Sequence, residues 1–400
     1  MGDVTLGRGV LAPSSNLALY TDDVLADPWP TYQELRDLGG TVWLEQYGMF
    51  VHPRFEECRA ALRDSDTYTS AQGVMMNDLM NETLQGILLC TDGEEHSAMR
   101  KVIGAPLTPS ALASQRERIT DEAEQLVERL VEQGRFDAAT ELAHHLPVTI
   151  VSELVGLPET GRERMIEWAH ANFDCFGPPN ARTEAAFPIV EEMVAYASNE
   201  CVPGKLRPGG WAAQIWEAAE RGDIAADKPP AMMNDYMGPS LDTTIFATAS
   251  MIRLFAEHPD QWTRLREQPD LALNAINEVL RIETVLHTLS RVLTVEHTVD
   301  GVTMPAGSRV IILYASANRD ERQFRDPDVF DITRSNAAEH LGLGFGTHSC
   351  PGGNLARIEM RALLTALLPR VERFDLVECD QLTNNVLHGL GRCIVDVRRP

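Results

Sequence analysis

The 400-residue chain has no run of about 18 apolar residues and no CxxC pair, and its 35 lysines and arginines are far outnumbered by 59 acidic residues. The first absence excludes a membrane-spanning helix. The second leaves Cys58, Cys90, Cys175, Cys201, Cys350, Cys379 and Cys393 as an odd, scattered set, without the spacing of a zinc site or a disulfide framework. The third gives a formal charge of −24, whose average field repels nucleic acid and anionic lipid. The opening MGDVTLGRGVLAPSSN lacks a signal-peptide core, and Leu6 stands where a myristoylation motif on Gly2 needs Ser or Thr. No GxGxxG follows a strand, so no nicotinamide or flavin domain is expected. A cytoplasmic protein that binds neither nucleic acid nor membrane is the expectation.

What is present is mostly helical. Apolar positions recur at helical spacing over 111–134, ending on Gly134, and over 141–155, 160–176 and 187–200. Gly177-Pro178-Pro179-Asn180 separates the last two. Residues 229–258 are apolar on most sides and read as one long helix through the core, with further helix over 259–282. Strand-like runs are short: 40–44, 49–52, 292–294, 309–314 and 393–397, with a hairpin turn over 298–307. The expected fold is mainly α with a smaller β region (40–52, 292–314 and 393–397), in a single domain spanning 1–400.

The chemistry concentrates in residues 340–359, HLGLGFGTHSCPGGNLARIE. Glycines at 342, 344, 346, 352 and 353 crowd one cysteine, so the backbone is expected to approach something flat and bulky. The helix that follows would aim free N–H groups and its positive dipole end at the Cys350 sulfur, favouring thiolate. This segment resembles the haem loop of the cytochrome P450 family through Gly344, Gly346, His348, Cys350 and Gly352. Leu343 stands in place of the family's Phe. The resemblance implies a triangular helical prism around a buried haem b, with Cys350 as axial ligand to the iron.

Three further motifs extend the resemblance over nearly the whole chain. Glu278 and Arg281, spaced i,i+3 on one helix face, would by themselves be an ordinary ion pair. In the family they join a downstream Arg, here Arg334, in a buried network under the haem loop. His96 and Arg100, spaced i,i+4, match the helix that reaches the haem propionates, and Arg291 and His348 match the remaining propionate contacts. Asp242 and Thr243 match the acid–alcohol pair that relays protons during dioxygen activation, while the thiolate donates electron density from the other face.

Two departures stand out. Pro239-Ser240 replaces the Ala/Gly-Gly before the acid; Pro239 is expected to open a groove by kinking the helix, with the Ser240 hydroxyl filling an orphan bond. Pro351 removes a backbone N–H beside the sulfur, which is expected to leave the thiolate richer in electrons and lower the iron potential.

The closest likeness is to the subfamily oxidising para-substituted benzoates by hydroxylation or O-demethylation. It rests on residues 173–180 (FDCFGPPN), 70–74 (SAQGV) and 316–320 (SANRD). Phe173 and Phe176 would wall an aromatic-sized pocket or simply fill the core. Gln72, Val74, Met75, Leu79, Pro239, Leu241, Val285, Leu289, Val386 and Leu387 are the other wall candidates. Gln72 stands where an Arg is expected, and a buried carboxylate without a cation is costly, so a neutral or phenolic aromatic is preferred. Electrons are expected from a ferredoxin and its reductase, drawing on NAD(P)H, docked by Arg100, Lys101, Arg357 and Arg361. A monooxygenase of larger terpenoid, macrolide or peptide scaffolds, and a non-catalytic haem-thiolate ligand carrier, remain as alternatives.

Overall fold

The computed structural model describes residues 12–400. Six helices position the site: α1 (Gly93–Gly104), α2 (Met165–Asp174), α3 (Pro229–Met237), α4 (Asp242–Glu257), α5 (Ala272–Ile282) and α6 (Gly353–Leu367). The amphipathic helix expected over 111–134 runs over Arg116–Gln133 and ends on Gly134; its expected first turns form a separate helix, Pro109–Leu112, capped by the Thr108 hydroxyl. The segment expected over 141–155 winds more loosely, as π-helical turns over Ala138–Ala143 and Pro147–Val151 before the α-turn Ser152–Val155. At the expected break after α2, the Asn180 side chain accepts from the Thr183 N–H and opens the helix Ala181–Asn199.

The long helix expected over 229–258 is two helices. Pro239 has no N–H to continue the ladder, and the chain leaves helical hydrogen bonding between Met237 and Asp242. The freed Pro239 carbonyl accepts from the Thr243 hydroxyl at 3.0 Å, which takes the role expected for Ser240. α4 is buried on nearly every side, as its apolar composition requires.

The main sheet has the order Ser14–Ser15, Val42–Leu44, Met49–His52, Arg309–Leu313, Thr288–Leu293, Tyr68–Thr69. Phe50 pairs with Val310 in parallel and Arg291 with Val310 antiparallel, so the strand carrying Val310 lies between the other two and the strand carrying Arg291 is next to the edge strand Tyr68–Thr69. The hairpin over 298–307 forms between His297–Val299 and Val302–Met304, turning on Asp300 and Gly301, both at positive φ. The C-terminal strand is longer than expected, His388–Arg398, and pairs with Arg373–Thr383. That partner escapes the sequence pattern because its acidic, half-exposed residues break the apolar alternation. No helix among the described residues is long and apolar enough to cross a membrane.

Candidate active site

The cysteine loop rests on the C-terminal end of α5. A Cβ at Gly342 would lie 2.5 Å from the Leu280 carbonyl oxygen, and one at Gly346 would lie 2.4 Å from that of Leu62. Gly344 and Gly346 also hold φ near +69°, which side chains disfavour. The glycines therefore let the loop pack backbone to backbone. The Cys350 N–H donates to the Leu343 carbonyl at 2.8 Å, and the sulfur opens onto a large internal cavity. Burial pushes the Cys350 thiol up; the Gly352 and Gly353 amides and the Arg100 and Arg357 charges pull it the other way. The Gly353 N–H donates to the Cys350 carbonyl at 3.4 Å.

Beneath the loop, Arg281 grips Glu278 with two bonds, Nε to Oε2 at 2.7 Å and Nη2 to Oε1 at 2.8 Å. Arg334 Nε adds 2.9 Å to the same carboxylate. Glu278 and Arg281 are fully buried, and the remaining guanidinium N–H groups reach the carbonyls of Asn318, Pro327, Arg325, Asp326 and Val329. Asn318 then accepts from the Leu341 N–H at 2.7 Å, tying this network to the start of the cysteine loop. The residues 316–320 serve structure as well: Asp320 pairs with Arg54 at 2.7 Å, and Arg319 lies over the Trp29 ring.

One edge of the cavity is cationic. Arg100 from α1, Arg291 from the strand Thr288–Leu293 and His348 from the cysteine loop all line it, and His96 packs its ring on His348 at 4.3 Å. His348 Nε2 lies 2.9 Å from Asp92 Oδ1. Burial alone would raise the Asp92 carboxyl, but bonds from His348, Thr69 and the Ser70 amide take it down to about 2. Burial and the neighbouring His348 and Arg100 lower His96 to about 4, and its Nε2 has no partner. Among the described residues, neither Arg100 nor Arg291 pairs with a carboxylate at ion-pair distance, so this edge is built for an acidic ligand.

The face opposite the sulfur comes from the broken helix: Pro239, Ser240, Thr243, Thr244 and Ala247 line it. Asp242 points away from the cavity and is buried. Burial raises its carboxyl, while His170 Nδ1 at 3.7 Å draws it back. The His170 ring is held up, against its own burial, by Asp242 and by Asp174 at 3.5 Å.

The chain is similar to known proteins. A family model described as Cytochrome P450 matches residues 223–386. Over 389 residues the chain is 32% identical to Cytochrome p450 CYP199A2 of Rhodopseudomonas palustris, covering 96% of this chain and 94% of that one. The chain belongs to the cytochrome P450 family. It is also 31% identical over 347 residues to the Erythromycin C-12 hydroxylase of Saccharopolyspora erythraea, covering 85% and 86% of the two chains. The solved structure of full-length CYP116B46 from Tepidiphilus thermophilus superposes with a TM-score of 0.85 at 25% identity. That match covers 96% of this chain but 53% of the other, so the P450 spans about half that protein. An intact type IV self-sufficient cytochrome P450 monooxygenase gives 0.84 at 27% identity, with 96% and 54% covered. The protein is a P450 monooxygenase with the family's single-domain fold.

The family's haem b fits the donor set. A soft sulfur lines the cavity on one side, two arginines and two histidines at one edge would hold two propionates, and the remaining walls are mostly apolar.

Of the pocket candidates, Phe173, Phe176, Pro239, Val285 and Leu289 line the cavity. The others do not. The Gly73 turn and the bonds from Arg309 to the Gln72 and Gly73 carbonyls swing Gln72 into a separate polar depression with Asp78, Asn81 and Glu82. Val74 and Met75 are buried, their backbone carbonyls bonded to the Ser290 hydroxyl, and Leu79 is exposed. Leu387 forms a β-bridge with Leu286, and Leu286 is the one that reaches the cavity. Val386 is held by its carbonyl to the His287 N–H, and Leu241 turns into the core where α4 starts.

Sequence reasoning missed several wall residues: Leu84, Ile87, Leu88, Ile103, Ala247 and, above all, Asn172. The signal for Asn172 was available, a lone amide directly before Phe173 in an apolar helix. The basic patch is also smaller than expected. Lys101 and Arg361 are exposed, but Arg100 faces the cavity and Arg357 bonds to Asn277 Oδ1. Arg59 and Arg63 stack instead on Phe345 of the cysteine loop, at 5.0 and 5.4 Å.

Proposed function

We propose that this P450 oxidises a small aromatic molecule without a carboxylate, by hydroxylation or O-demethylation, using electrons from a ferredoxin and its reductase. The observation that carries the reading is the Phe173–Phe176 pair, with ring centroids 5.4 Å apart and planes tilted by 58°, on the wall of the cavity that Cys350 faces. Two aromatic faces one helical turn apart suit a flat ring, and Val285, Leu286 and Leu289 enclose it with aliphatic surface. The basic side chains of the cavity, Arg100, Arg291 and His348, gather at the propionate edge. A substrate acid lying against the phenylalanines would meet none of them.

The haem, when bound, supplies oxygen activation and insertion. The chain's own residues hold and meter. His96, Arg100, Arg291 and His348 clamp the propionates, and the Glu278–Arg281–Arg334 network fixes the loop that presents Cys350 and Gly352. Asp242 takes protons from the His170 side and passes them towards Thr243, whose hydroxyl lines the cavity where Pro239 has opened the helix. A ferric spin-state screen of methoxyphenols, alkylphenols, aryl ethers and benzoates tests this reading. Small neutral aromatics should give the shift and 4-methoxybenzoate should not; a full shift with 4-methoxybenzoate overturns the preference. Turnover with ferredoxin, reductase and NAD(P)H separates the enzyme from a ligand carrier.

A further inference from the structure

The cysteines are scattered through the sequence, yet the fold brings two of them together. Cys379 on the strand Arg373–Thr383 and Cys393 on His388–Arg398 are direct partners across the antiparallel pair. Directly opposed residues leave a sheet on the same face, with Cβ atoms about 4.5–5.5 Å apart. A disulfide spans about 3.5–4.5 Å between the same atoms, so a small adjustment joins the two. The register shifts on both sides of this short stretch, between Leu376 and Glu378 and between Asp380 and Gln381. The ladder is therefore already interrupted where that adjustment falls.

The two sulfurs are not equivalent. Cys393 is fully buried, whereas Cys379 is partly exposed. Of the other five, Cys58, Cys90, Cys175 and Cys201 are buried, and Cys350 lines the active-site cavity. Cys379 is also the one cysteine of the seven whose thiol is shifted down. The Cys393 thiol draws it down, burial opposes, and the Arg253 charge draws it down again, against Glu257 and Asp380. Arg253 comes from α4; it pairs with Glu283 at 2.6 Å, while its Nε is buried without a partner. Cys379 and burial push the Cys393 thiol up, so that sulfur keeps its proton. An accessible sulfur with thiolate character beside a buried thiol is the asymmetry of an attacking and a resolving cysteine.

We propose that Cys379 and Cys393 form a peroxide-sensitive dithiol that closes to a cross-strand disulfide. The Cys379 thiolate attacks one oxygen of hydrogen peroxide, the O–O bond breaks, and the leaving hydroxide takes up the proton that Cys379 gave up. The Cys393 sulfur then attacks the resulting sulfenic acid. The S–S bond forms, the S–O bond breaks, and the oxygen leaves as water with the Cys393 proton. Two thiols thus lose two electrons, and one peroxide becomes two waters. Peroxide is the two-electron product of dioxygen reduction, so a monooxygenase that reduces dioxygen without inserting it makes the oxidant itself. The bond closes a ring around Asn384 and Asn385. These hold the end of α2, through the His170 carbonyl at 3.1 Å and the Asp174 carboxylate at 2.9 Å.

The test is treatment of the ferric holoenzyme with hydrogen peroxide, followed by denaturation, thiol blocking and non-reducing peptide mapping. The expected result is a mass loss of about 2 Da and one linked pair, Cys379 with Cys393, reversed by dithiothreitol. With dimedone present to trap sulfenic acid, Cys393→Ser, which keeps a donor beside Cys379, should carry the adduct on Cys379. Cys379→Ala should give no linked pair and no adduct on Cys393, because that sulfur is buried. An unaltered enzyme that keeps both thiols under peroxide, or links other cysteines first, overturns the proposal. So does an adduct on Cys393 in Cys379→Ala. The map of the unaltered chain decides the matter by itself if either variant fails to fold.

Discussion

The two faces of the cavity are built in opposite ways. Beneath the cysteine loop a closed polar network is built: Glu278 holds two guanidiniums, their remaining N–H groups hold five carbonyls, and Asn318 passes the network on to Leu341. On the far side the helix is broken at Pro239, and the amide oxygens of Asn172 and Asn234 are buried without a partner. The first face does the same task in every turnover and gains from rigidity. The second must accept ligands, and the break at Pro239 leaves its wall open.

The contrast can be broken from the cysteine side with the largest effect. Glu278→Ala leaves two guanidiniums buried without an anion, which should cost about 3–5 kcal/mol and abolish haem incorporation, read as the haem-to-protein absorbance ratio. Near-native loading would show that the network is dispensable. On the far side the expected effect is kinetic rather than structural. Asp242→Asn should slow turnover on the order of 10²-fold with a raised solvent isotope effect and an unchanged melting temperature. His170→Phe should reproduce part of that loss, and an unaltered isotope effect in both variants would remove the pair from proton delivery.

Pro351→Leu restores a donor beside the sulfur and should raise the iron potential in a redox titration. A potential that stays put or falls would contradict the electron-rich thiolate. A smaller, pH-dependent difference comes from Glu359 on α6, which lines the cavity with Oε1 unpartnered. Burial raises its carboxyl to about 8, above the unfolded value, so the folded state holds that proton more tightly. Its contribution is full at low pH and is lost as pH rises from the unfolded value through about 8. Glu359→Gln should flatten the fall in melting temperature over that window; an unchanged slope would place the ionisation elsewhere. Smallest of all, Lys101→Glu with Arg361→Glu should slow ferredoxin reduction modestly and weaken its salt dependence in stopped flow.

The cysteine side was legible in the sequence because its chemistry is written in closely spaced residues. Cys350 sits among glycines that have to be glycines, and Glu278 and Arg281 lie one turn apart on α5. The far side was legible only in part. Pro239 announced a disturbance, yet whether a proline kinks a helix or ends it depends on how the neighbouring turns are paired, and here Thr243 takes the freed carbonyl. Pocket walls assemble from segments distant in the chain. Gln72 and Leu286 show the consequence: a single turn at Gly73 removes one from the wall, and a β-bridge at Leu387 brings the other in. Asn172 was visible as an oddity, but its unpaired oxygen exists only once α2 and α3 are packed together.

The active site depends on one sulfur, that of Cys350, being the iron ligand. The direct measurement is the absorbance spectrum of the reduced, carbon monoxide-bound holoenzyme, taken for the unaltered chain and for Cys350→Ser. Thiolate ligation predicts the strongly red-shifted Soret band of a haem-thiolate protein, lost in Cys350→Ser. An imidazole-type band in the unaltered chain, or a red-shifted band that survives the substitution, would contradict the account.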